Sequence, residues 1–163
     1  MSQRLGDEER FKRLVETYAG AVRRLCGAYA RAPADREDLF QEVFIGVWRS
    51  LPAFRGESSE RTWLYRIAHN VALTWQVRDR RRQSRESALK NVSPPKTKPL
   101  DVRLMDLERA VAQLRPADRS LTLLWLEGLT ALEIEEVTGV QAATVAVRLG
   151  RIRKQLVPTE AKA

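Results

Sequence analysis

Apolar residues recur at intervals of three and four along most of the chain, which predicts helices that each bury one face. A first helix is predicted through Phe11, Leu14, Val15, Tyr18, Val22, Leu25, Cys26 and Tyr29. A second is predicted from about Arg36 to Leu51, with an apolar arc at Leu39, Phe40, Val43, Phe44, Val47, Trp48 and Leu51. A third is predicted from about Glu60 to Arg82, with its stripe at Trp63, Leu64, Ile67, Ala68, Val71, Ala72 and Trp75. We expect these stripes to close one helical core.

The helical period fades between Gln83 and about Arg103, where prolines and lysines replace the apolar residues. This composition is typical of a flexible or partly extended linker. Beyond it the period resumes, is interrupted at Pro116 and ends near Leu156. Because no sustained period of two appears, we predict an all-α fold of two small helical domains, 1–82 and 104–158. The flexible linker 83–103 joins them, and a tail follows at 159–163.

The charge composition indicates the class of partner. The chain of 163 residues has 29 Lys and Arg against 21 Asp and Glu, a formal net charge of +8. This arginine-rich excess favours a polyanion, with nucleic acid first and an anionic membrane surface as the rival. The N-terminus lacks the apolar run of a signal peptide, and no stretch approaches the ~18 apolar residues of a membrane span. We therefore expect a cytoplasmic location without membrane insertion.

Few residues are suited to metal or redox chemistry. Cys26 is the only cysteine and His69 the only histidine, which excludes an intramolecular disulfide and leaves too few ligands for a structural zinc site. Cys26 continues an apolar stripe, so we expect a buried packing residue. His69 has no carboxylate or cysteine near it in the sequence, which favours polar surface or base contact over catalysis. We expect no cofactor, no metal and no enzymatic activity.

A helix-turn-helix pattern lies near the C-terminus, with Gly139 in the tight turn between two short helical patterns. On the second of these helices, Val145, Leu149, Ile152 and Leu156 share one side, which we expect to be buried. The opposite side has Ala143, Thr144, Val147, Arg151 and Lys154, with Arg148 and Gln155 flanking it, and Gln141 is a further candidate for DNA contact. Small residues followed by basic ones suit a major groove and its phosphates, although an ordinary helical hairpin with a solvated basic face shows the same pattern.

Two further helices have informative polar faces. The second helix sets a lone isoleucine among polar residues, at Asp38, Gln41, Glu42, Ile45 and Arg49. Such a face is either a docking patch for a basic helical partner or merely solvated, and the residues alone favour a solvated face. The third helix lines up Thr62, Arg66, His69, Asn70, Gln76 and Arg80 and ends in RDRRR, which begins with Arg78. This face either holds phosphates and reads base edges or is only a solvated basic surface.

The segment FRGESSERTW, residues 54–63, joins these two faces and leaves two interpretations open. In the first, Phe54 and Trp63 stack on an unstacked base while the serines and the backbone near Gly56 bind its edge. In the second, Gly56 only turns the chain, Ser58 or Ser59 caps the next helix and both aromatic rings are buried. For Trp63, which lies on the core stripe, burial is favoured.

These segments resemble a known family. DREDLFQEVFIGVWRSLPAFRGESSERTWLYRIAHNVA resembles region 2, and LRPADRSLTLLWLEGLTALEIEEVTGVQAATVAVRLGRIRKQL resembles region 4, of the extracytoplasmic-function (ECF) sigma factors. The resemblance covers nearly the whole chain apart from the linker and short ends. It implies a promoter-specificity subunit that binds core RNA polymerase, recognises the −35 element through region 4 and helps melt the −10 element through region 2. The implied partners are the β′ clamp helices, the β flap, duplex and melted promoter DNA, and an anti-sigma factor.

The resemblance also assigns roles to residues. The surface that docks on the β′ clamp helices is matched by Asp38, Gln41, Glu42, Ile45 and Arg49. The loop that captures a flipped non-template −10 base is matched by Phe54, Arg55, Gly56, Glu57, Ser58 and Ser59. The residues implied to contact adjacent −10 positions are Thr62, Arg66, Asn70, Arg78 and Arg80. Glu135 departs from the family, which usually has a small alanine there, so we expect the helices to splay or the carboxylate to turn outward.

Two other functions remain as alternatives. An ordinary two-domain regulator would bind duplex operators without polymerase. A nuclease would need a convergent cluster of carboxylates or histidines for metal, and Glu133, Glu135 and Glu136 point apart on a helix.

Overall fold

The structure is a computed structural model that describes residues 2–90 and 107–156. All regular elements in these ranges are helical: α1 (Ser2–Tyr29), α2 (Pro33–Ser50), a 3₁₀ turn (Leu51–Ala53), α3 (Glu60–Lys90), α4 (Leu107–Ala112), α5 (Pro116–Leu126), α6 (Ala131–Thr138) and α7 (Ala142–Leu156). The predicted all-α class is confirmed. The chain divides into two compact units, the first ending at Asp79 and the second beginning at Arg80.

The core of the first unit lies between α1, α2 and the first half of α3. Its largest buried side chains are Leu14, Val22, Leu25, Leu39, Val43, Leu51, Leu64 and Tyr65. Gly46 lets α2 approach α3 closely, because a Cβ there would lie 3.2 Å from Ile67 Cγ2. Cys26 is buried as predicted, and burial raises the pKa of its thiol to about 12, so the thiol stays protonated at neutral pH.

The apolar arc of α2 is wider than the surface that covers it. Trp48, predicted in the core, is 40% exposed, and Phe40 is only partly buried. The apolar arc of α2 is wider than the surface that one neighbouring helix can cover, so the outer edge of the arc faces solvent. The prediction that Trp48 belongs to the core is wrong.

Helix α3 extends further than the pattern predicts. We expected it to end at about Arg82, but it continues to Lys90. Residues 81–88 are all exposed, so no apolar stripe reveals this part, which instead contains helix formers such as Arg, Gln, Glu and Ala. The beginning of the predicted linker is therefore helical, and residues 91–103 and the tail 159–163 lie outside the described residues.

The second unit buries one face of each of its helices. Leu121, Leu124, Leu129, Ile134 and Val145 are nearly inaccessible to solvent. Pro116 begins α5 rather than merely interrupting a helix, since a missing N–H costs nothing at the first helical position. Arg119 Nη2 donates to the carbonyl oxygens of Ala112 at 2.7 Å and Leu114 at 3.0 Å, which satisfies acceptors left open at the end of α4.

His69 belongs to the core of the first unit and not to the polar face of α3. It is 6% exposed, and its Nδ1 lies 3.1 Å from the Tyr29 hydroxyl on α1. The prediction of a surface histidine is wrong, because the end of α1 covers this side of α3. Burial lowers the pKa of His69, so the neutral imidazole is the form that the fold accommodates.

The buried histidine predicts a pH dependence of stability. Because the folded-state pKa of His69 is lowered, the unfolded chain takes up the proton first, at its ordinary pKa of about 6.5. The free energy of unfolding is therefore not reduced by His69 above that pH, and it decreases as the pH drops below it. We expect the thermal midpoint to fall between pH 7.5 and pH 5.5, and to fall less in His69→Gln. A wild-type midpoint that stays constant or rises over this range would contradict the assignment.

Candidate functional site

The structure places the five predicted docking residues along one side of α2. Asp38, Gln41, Ile45 and Arg49 are exposed, and Glu42 is partly exposed. We call these five residues the α2 surface. Ile45 is 48% exposed, so an aliphatic side chain stands among polar groups as the sequence suggested.

An apolar groove between α1 and α2 adjoins this surface, and the sequence did not reveal it. It has a volume of about 780 Å³, with apolar walls formed by Phe11, Val15, Phe40, Phe44, Ile45 and Trp48. We call this feature the aromatic groove. The rings of Phe11 and Trp48 meet edge to face with centroids 5.2 Å apart, and those of Phe40 and Phe44 at 5.0 Å. Ile45 is therefore one wall of a preformed aromatic site rather than an isolated residue.

Glu42 links the α2 surface to α3. Its Oε2 accepts a hydrogen bond from Arg78 Nη2, and both side chains are partly exposed. The sequence placed Glu42 in polymerase docking and Arg78 in DNA contact. In the structure each of the two charges already has the other as its partner.

The loop at residues 54–59 is held at both ends. The Leu51–Ala53 turn precedes it, and Phe54 N donates to Leu51 O at 3.1 Å. Gly56 has φ +75°, the left-handed region that glycine enters without the penalty paid by other residues. Arg55, Gly56 and Glu57 are exposed. We call residues 54–59 the capture loop, after the role that the sequence predicts.

Ser59 closes the capture loop by capping α3. Its Oγ accepts from Thr62 N at 3.1 Å and donates to Thr62 Oγ1 at 3.0 Å. One of the two predicted caps is thereby identified. Thr62 is only 2% exposed, so the prediction that it contacts DNA is wrong. A helical wheel assigned it to the outer face, but it cannot show that the preceding loop folds over the first turn of α3.

Phe54 and Trp63 form the base of the capture loop. Their ring centroids are 4.8 Å apart at a tilt of 47°, and both side chains are partly buried. Arg10 Cζ lies 4.7 Å from the centroid of Phe54. The rings therefore hold the loop in place, as the second interpretation expects, but neither ring is fully buried. Stacking on an unstacked base stays a prediction.

The outer face of α3 combines polar and aliphatic residues. Asn70 and Arg80 are exposed, and Arg66 is partly exposed. Arg66 Nε is buried and has no hydrogen-bond partner among the described residues. Leu73 and Val77, which the sequence did not single out, are 42% and 48% exposed on the same side. This face therefore offers both donors and apolar contact.

The helix-turn-helix exposes most of the predicted face of α7. Gly139 has φ +77° and ends α6, as the pattern predicted. Val145, Leu149 and Ile152 are buried, and the partly buried Leu156 packs against the cluster that contains Ile152. The exposed residues are Gln141, Ala143, Thr144, Val147, Arg151 and Lys154. We call these six residues the α7 surface.

Arg148 differs from the other predicted residues of α7. Its Nε donates to Asp118 Oδ1 on α5 at 2.8 Å, and both side chains are three-quarters buried. Arg148 therefore holds α7 against α5, and it is not one of the exposed basic residues of α7. A groove of about 640 Å³ next to this pair is lined by Arg115 and Arg151, and the sequence did not single out Arg115.

Glu135 caps the first turn of α7. Its Oε2 accepts from the backbone N–H of Ala142 at 2.8 Å, in the first turn of α7. The expected outward turn of the carboxylate is wrong, because the side chain instead spans the turn to α7. A capping box of Thr130 and Glu133 fixes the N-terminus of α6. Carboxylates on α6 thus cap the N-termini of both α6 and α7.

Within residues 2–90 and 107–156, no three His, Cys, Asp or Glu side chains converge in a way that would hold a metal ion. None of the helices described is both long enough and apolar enough to span a bilayer.

Comparison with known sequences identifies similar proteins. Residues 14–83 match the Sigma-70 region 2 family. The chain is 34% identical to the ECF RNA polymerase sigma-E factor of Escherichia coli strain K12, over 93% of this chain and 86% of that protein. It is 32% identical to the ECF RNA polymerase sigma-E factor of Haemophilus influenzae, over 93% and 87%.

Solved structures show the same fold. The sigma factor RpoE of Bartonella quintana, in complex with the anti-sigma factor NepR, matches with a TM-score of 0.71 and 22% identity over 91% of this chain and 94% of that one. CnrH, in complex with the cytosolic domain of CnrY, matches with a TM-score of 0.65 and 23% identity over 91% and 86%.

Proposed function

The chain belongs to the ECF RNA polymerase sigma factors, and from this membership we propose how its surfaces carry out promoter-specific initiation. It is an alternative sigma factor that binds core RNA polymerase and directs transcription from promoters with −35 and −10 elements. The observation that carries the division of roles is the match of residues 14–83 to Sigma-70 region 2. This segment contains the α2 surface, most of the aromatic groove and the capture loop.

Core polymerase docks on the α2 surface, at the β′ clamp helices. The carboxylates of Asp38 and Glu42 attract a basic helix, which sets the orientation of the encounter. Ile45 and the aromatic groove supply the apolar contact that charges alone do not give, since an interface owes most of its affinity to a few buried apolar anchors. An aliphatic or aromatic side chain of the partner fits the groove.

The capture loop binds a flipped non-template base of the −10 element. Flipping costs a few kcal/mol of stacking and pairing, and a pocket that holds the unstacked base offsets this cost. Phe54 and Trp63 form the aromatic base of that pocket, and Ser58 and the exposed backbone near Gly56 offer polar contacts. Thr62 contributes indirectly by fixing Ser59.

The outer face of α3 contacts the neighbouring −10 positions. Asn70 offers an amide for a base edge, and the partly exposed Arg66 places a positive charge beside it. Arg80 adds phosphate contact from an exposed position. Arg78 joins them when its pair with Glu42 opens.

The α7 surface recognises the −35 element. Ala143 and Thr144 allow close approach to the major groove, and Val147, 64% exposed, is placed to touch a thymine methyl. Arg151 and Lys154 bind the phosphates, together with Arg115, which precedes α5 and lines the same groove as Arg151. Arg148 supports this surface by holding α7 in place.

Location and regulation follow from the family. The chain acts in the cytoplasm, where its polymerase is. A sigma factor with the same fold, RpoE of Bartonella quintana, is known in complex with the anti-sigma factor NepR, so we also propose an anti-sigma factor that covers the α2 surface or the DNA-binding faces.

Transcription with reconstituted core enzyme tests the proposal. On a library of genomic fragments, we expect the chain to direct initiation from a subset that shares a −35 and a −10 motif. Core enzyme without the chain is the control. Binding to duplex DNA without polymerase, together with no start sites, would instead support the operator-binding regulator.

A further inference from the structure

One arginine of α1 contacts both ends of the capture loop. Arg10 Nε donates to Glu60 Oε1 at 2.6 Å, and Glu60 is the first residue of α3 after the loop. The same guanidinium lies over the ring of Phe54, the first residue of the loop, with Cζ 4.7 Å from the centroid. A single side chain, 50 residues from Glu60 in sequence, thus connects the two ends of the segment.

We propose that Arg10 is a positioning residue for −10 recognition, which holds the capture loop in the conformation that binds the flipped base. This inference rests on the proposed function of the loop. Arg13, one turn further along α1, strengthens the clamp, because its Nη2 donates to both Glu60 carboxylate oxygens at 3.2 and 3.4 Å. Glu60 also lies at the N-terminus of α3, where the helix dipole favours its negative charge.

The clamp matters because the middle of the capture loop is exposed, so its conformation depends on how the two ends of the loop are held. Arg55, Gly56 and Glu57 are exposed. Gly56 has a positive φ in this conformation, and a glycine changes readily to other backbone conformations. When only a fraction of the molecules has the binding conformation, affinity falls by that fraction. Ordering the loop before the strand arrives therefore raises the affinity for the flipped base without any contact from Arg10 to DNA.

The chemistry requires arginine at this position. A planar guanidinium can lie flat on the Phe54 ring while its Nε donates sideways to a carboxylate. A lysine ammonium is a single compact charged group, so it cannot lie flat on the Phe54 ring and donate to the carboxylate at the same time. Arg10→Lys should therefore retain only part of the effect, whereas an arginine that merely attracted DNA phosphate would be replaced by lysine with little loss.

Arg23 on the same helix offers a matched control. It lies over the Phe40 ring at 4.0 Å and pairs with Glu37 at 2.8 Å, the same arrangement away from the loop. Arg23→Gln removes the same charge and a similar clamp. Any general loss from lower net charge or a weaker fold should appear in both Arg10→Gln and Arg23→Gln.

The experiment measures binding of a labelled single strand to holoenzyme. The probe is the non-template −10 strand of a promoter mapped with the reconstituted enzyme, and its anisotropy gives the dissociation constant. We expect Arg10→Gln and Glu60→Gln each to weaken strand binding about fivefold, and Arg10→Lys about threefold. The double variant should be little worse than Glu60→Gln alone, since Glu60→Gln already removes the ion pairs of both Arg10 and Arg13. The affinity of each Arg10 and Glu60 variant for core polymerase should match wild type within about twofold. Strand binding by the Arg23→Gln holoenzyme should also match wild type within about twofold.

Glu60→Gln separates the clamp from simple electrostatics. Removing a carboxylate near DNA should strengthen binding if charge alone matters, and should weaken it if Glu60 anchors the loop. Unchanged or tighter binding in Glu60→Gln, or full activity of Arg10→Lys, overturns the inference. Gly56→Ala tests the loop itself: if it weakens strand binding and Arg10→Gln does not, only the clamp is wrong, and if neither does, the proposed function of the loop fails.

Discussion

Replacing Ile45 by glutamate is expected to weaken binding to core polymerase at least about 30-fold, because it removes the aliphatic wall of the aromatic groove and buries a charge in the interface. Ile45 is 48% exposed in the free chain, so the substitution should leave the fold intact. Competition for core enzyme against a labelled sigma factor measures the affinity. Binding of duplex −35 DNA should not change, since the α7 surface lies in the other unit.

Val77→Glu is the matched control for this prediction. Val77 is also an aliphatic residue, exposed to the same 48%, but it lies on the outer face of α3 and does not line the groove. It should retain core affinity within about twofold, because a charge on the solvated side of a helix costs little. Equal losses in both variants would show a nonspecific effect of charge, and no loss in Ile45→Glu would remove the α2 surface from polymerase docking.

The helical period was a sufficient guide to the fold because it reports which positions are buried along a cylinder. It placed Val43, Leu64 and Val145 in the cores correctly. It also placed Ile45 and Val147 outside, where they are available to partners. It failed where no apolar stripe exists, as in the exposed end of α3, which has helix formers but nothing to bury.

The site was harder to predict because its key contacts join distant parts of the chain. Thr62 and His69 both lie on the polar side of a helical wheel, yet the capture loop bonds to one and Tyr29 to the other. Arg10 and Glu60 are 50 residues apart and share no local pattern. Glu135 breaks the family pattern, but only the structure shows that its carboxylate reaches the N-terminus of α7.

The aromatic groove illustrates a signal that was present and misassigned. The arc of α2 contains more apolar residues than one neighbouring helix covers, and Phe40, Phe44 and Trp48 all received a core role. An arc this wide indicates either burial on two sides or an exposed apolar surface. These uncovered apolar residues of α2 lie next to Ile45 on the polar side, and together they were a reason to expect a docking site.

Replacing Gly56 by alanine is expected to reduce open-complex formation about tenfold while core binding stays unchanged. At φ +75° an alanine pays about 1–2 kcal/mol, and the loop escapes this strain by leaving the conformation that binds the base. An added Cβ meets no atom within 4 Å, so steric contact with neighbours does not contribute. Permanganate reactivity of unpaired thymines around the −10 element measures the open complex.

Gly27→Ala provides the control for the added methyl group. Its Cβ also meets nothing within 4 Å, and Gly27 lies inside α1 with ordinary helical geometry, where alanine is the better helix former. Gly27→Ala should therefore melt the promoter as wild type does. Asn70→Ala, which leaves the loop conformation alone, should reduce melting through a lost base contact. If Gly56→Ala instead loses core binding while bound enzyme still melts DNA, residues 54–59 serve polymerase docking and not base capture.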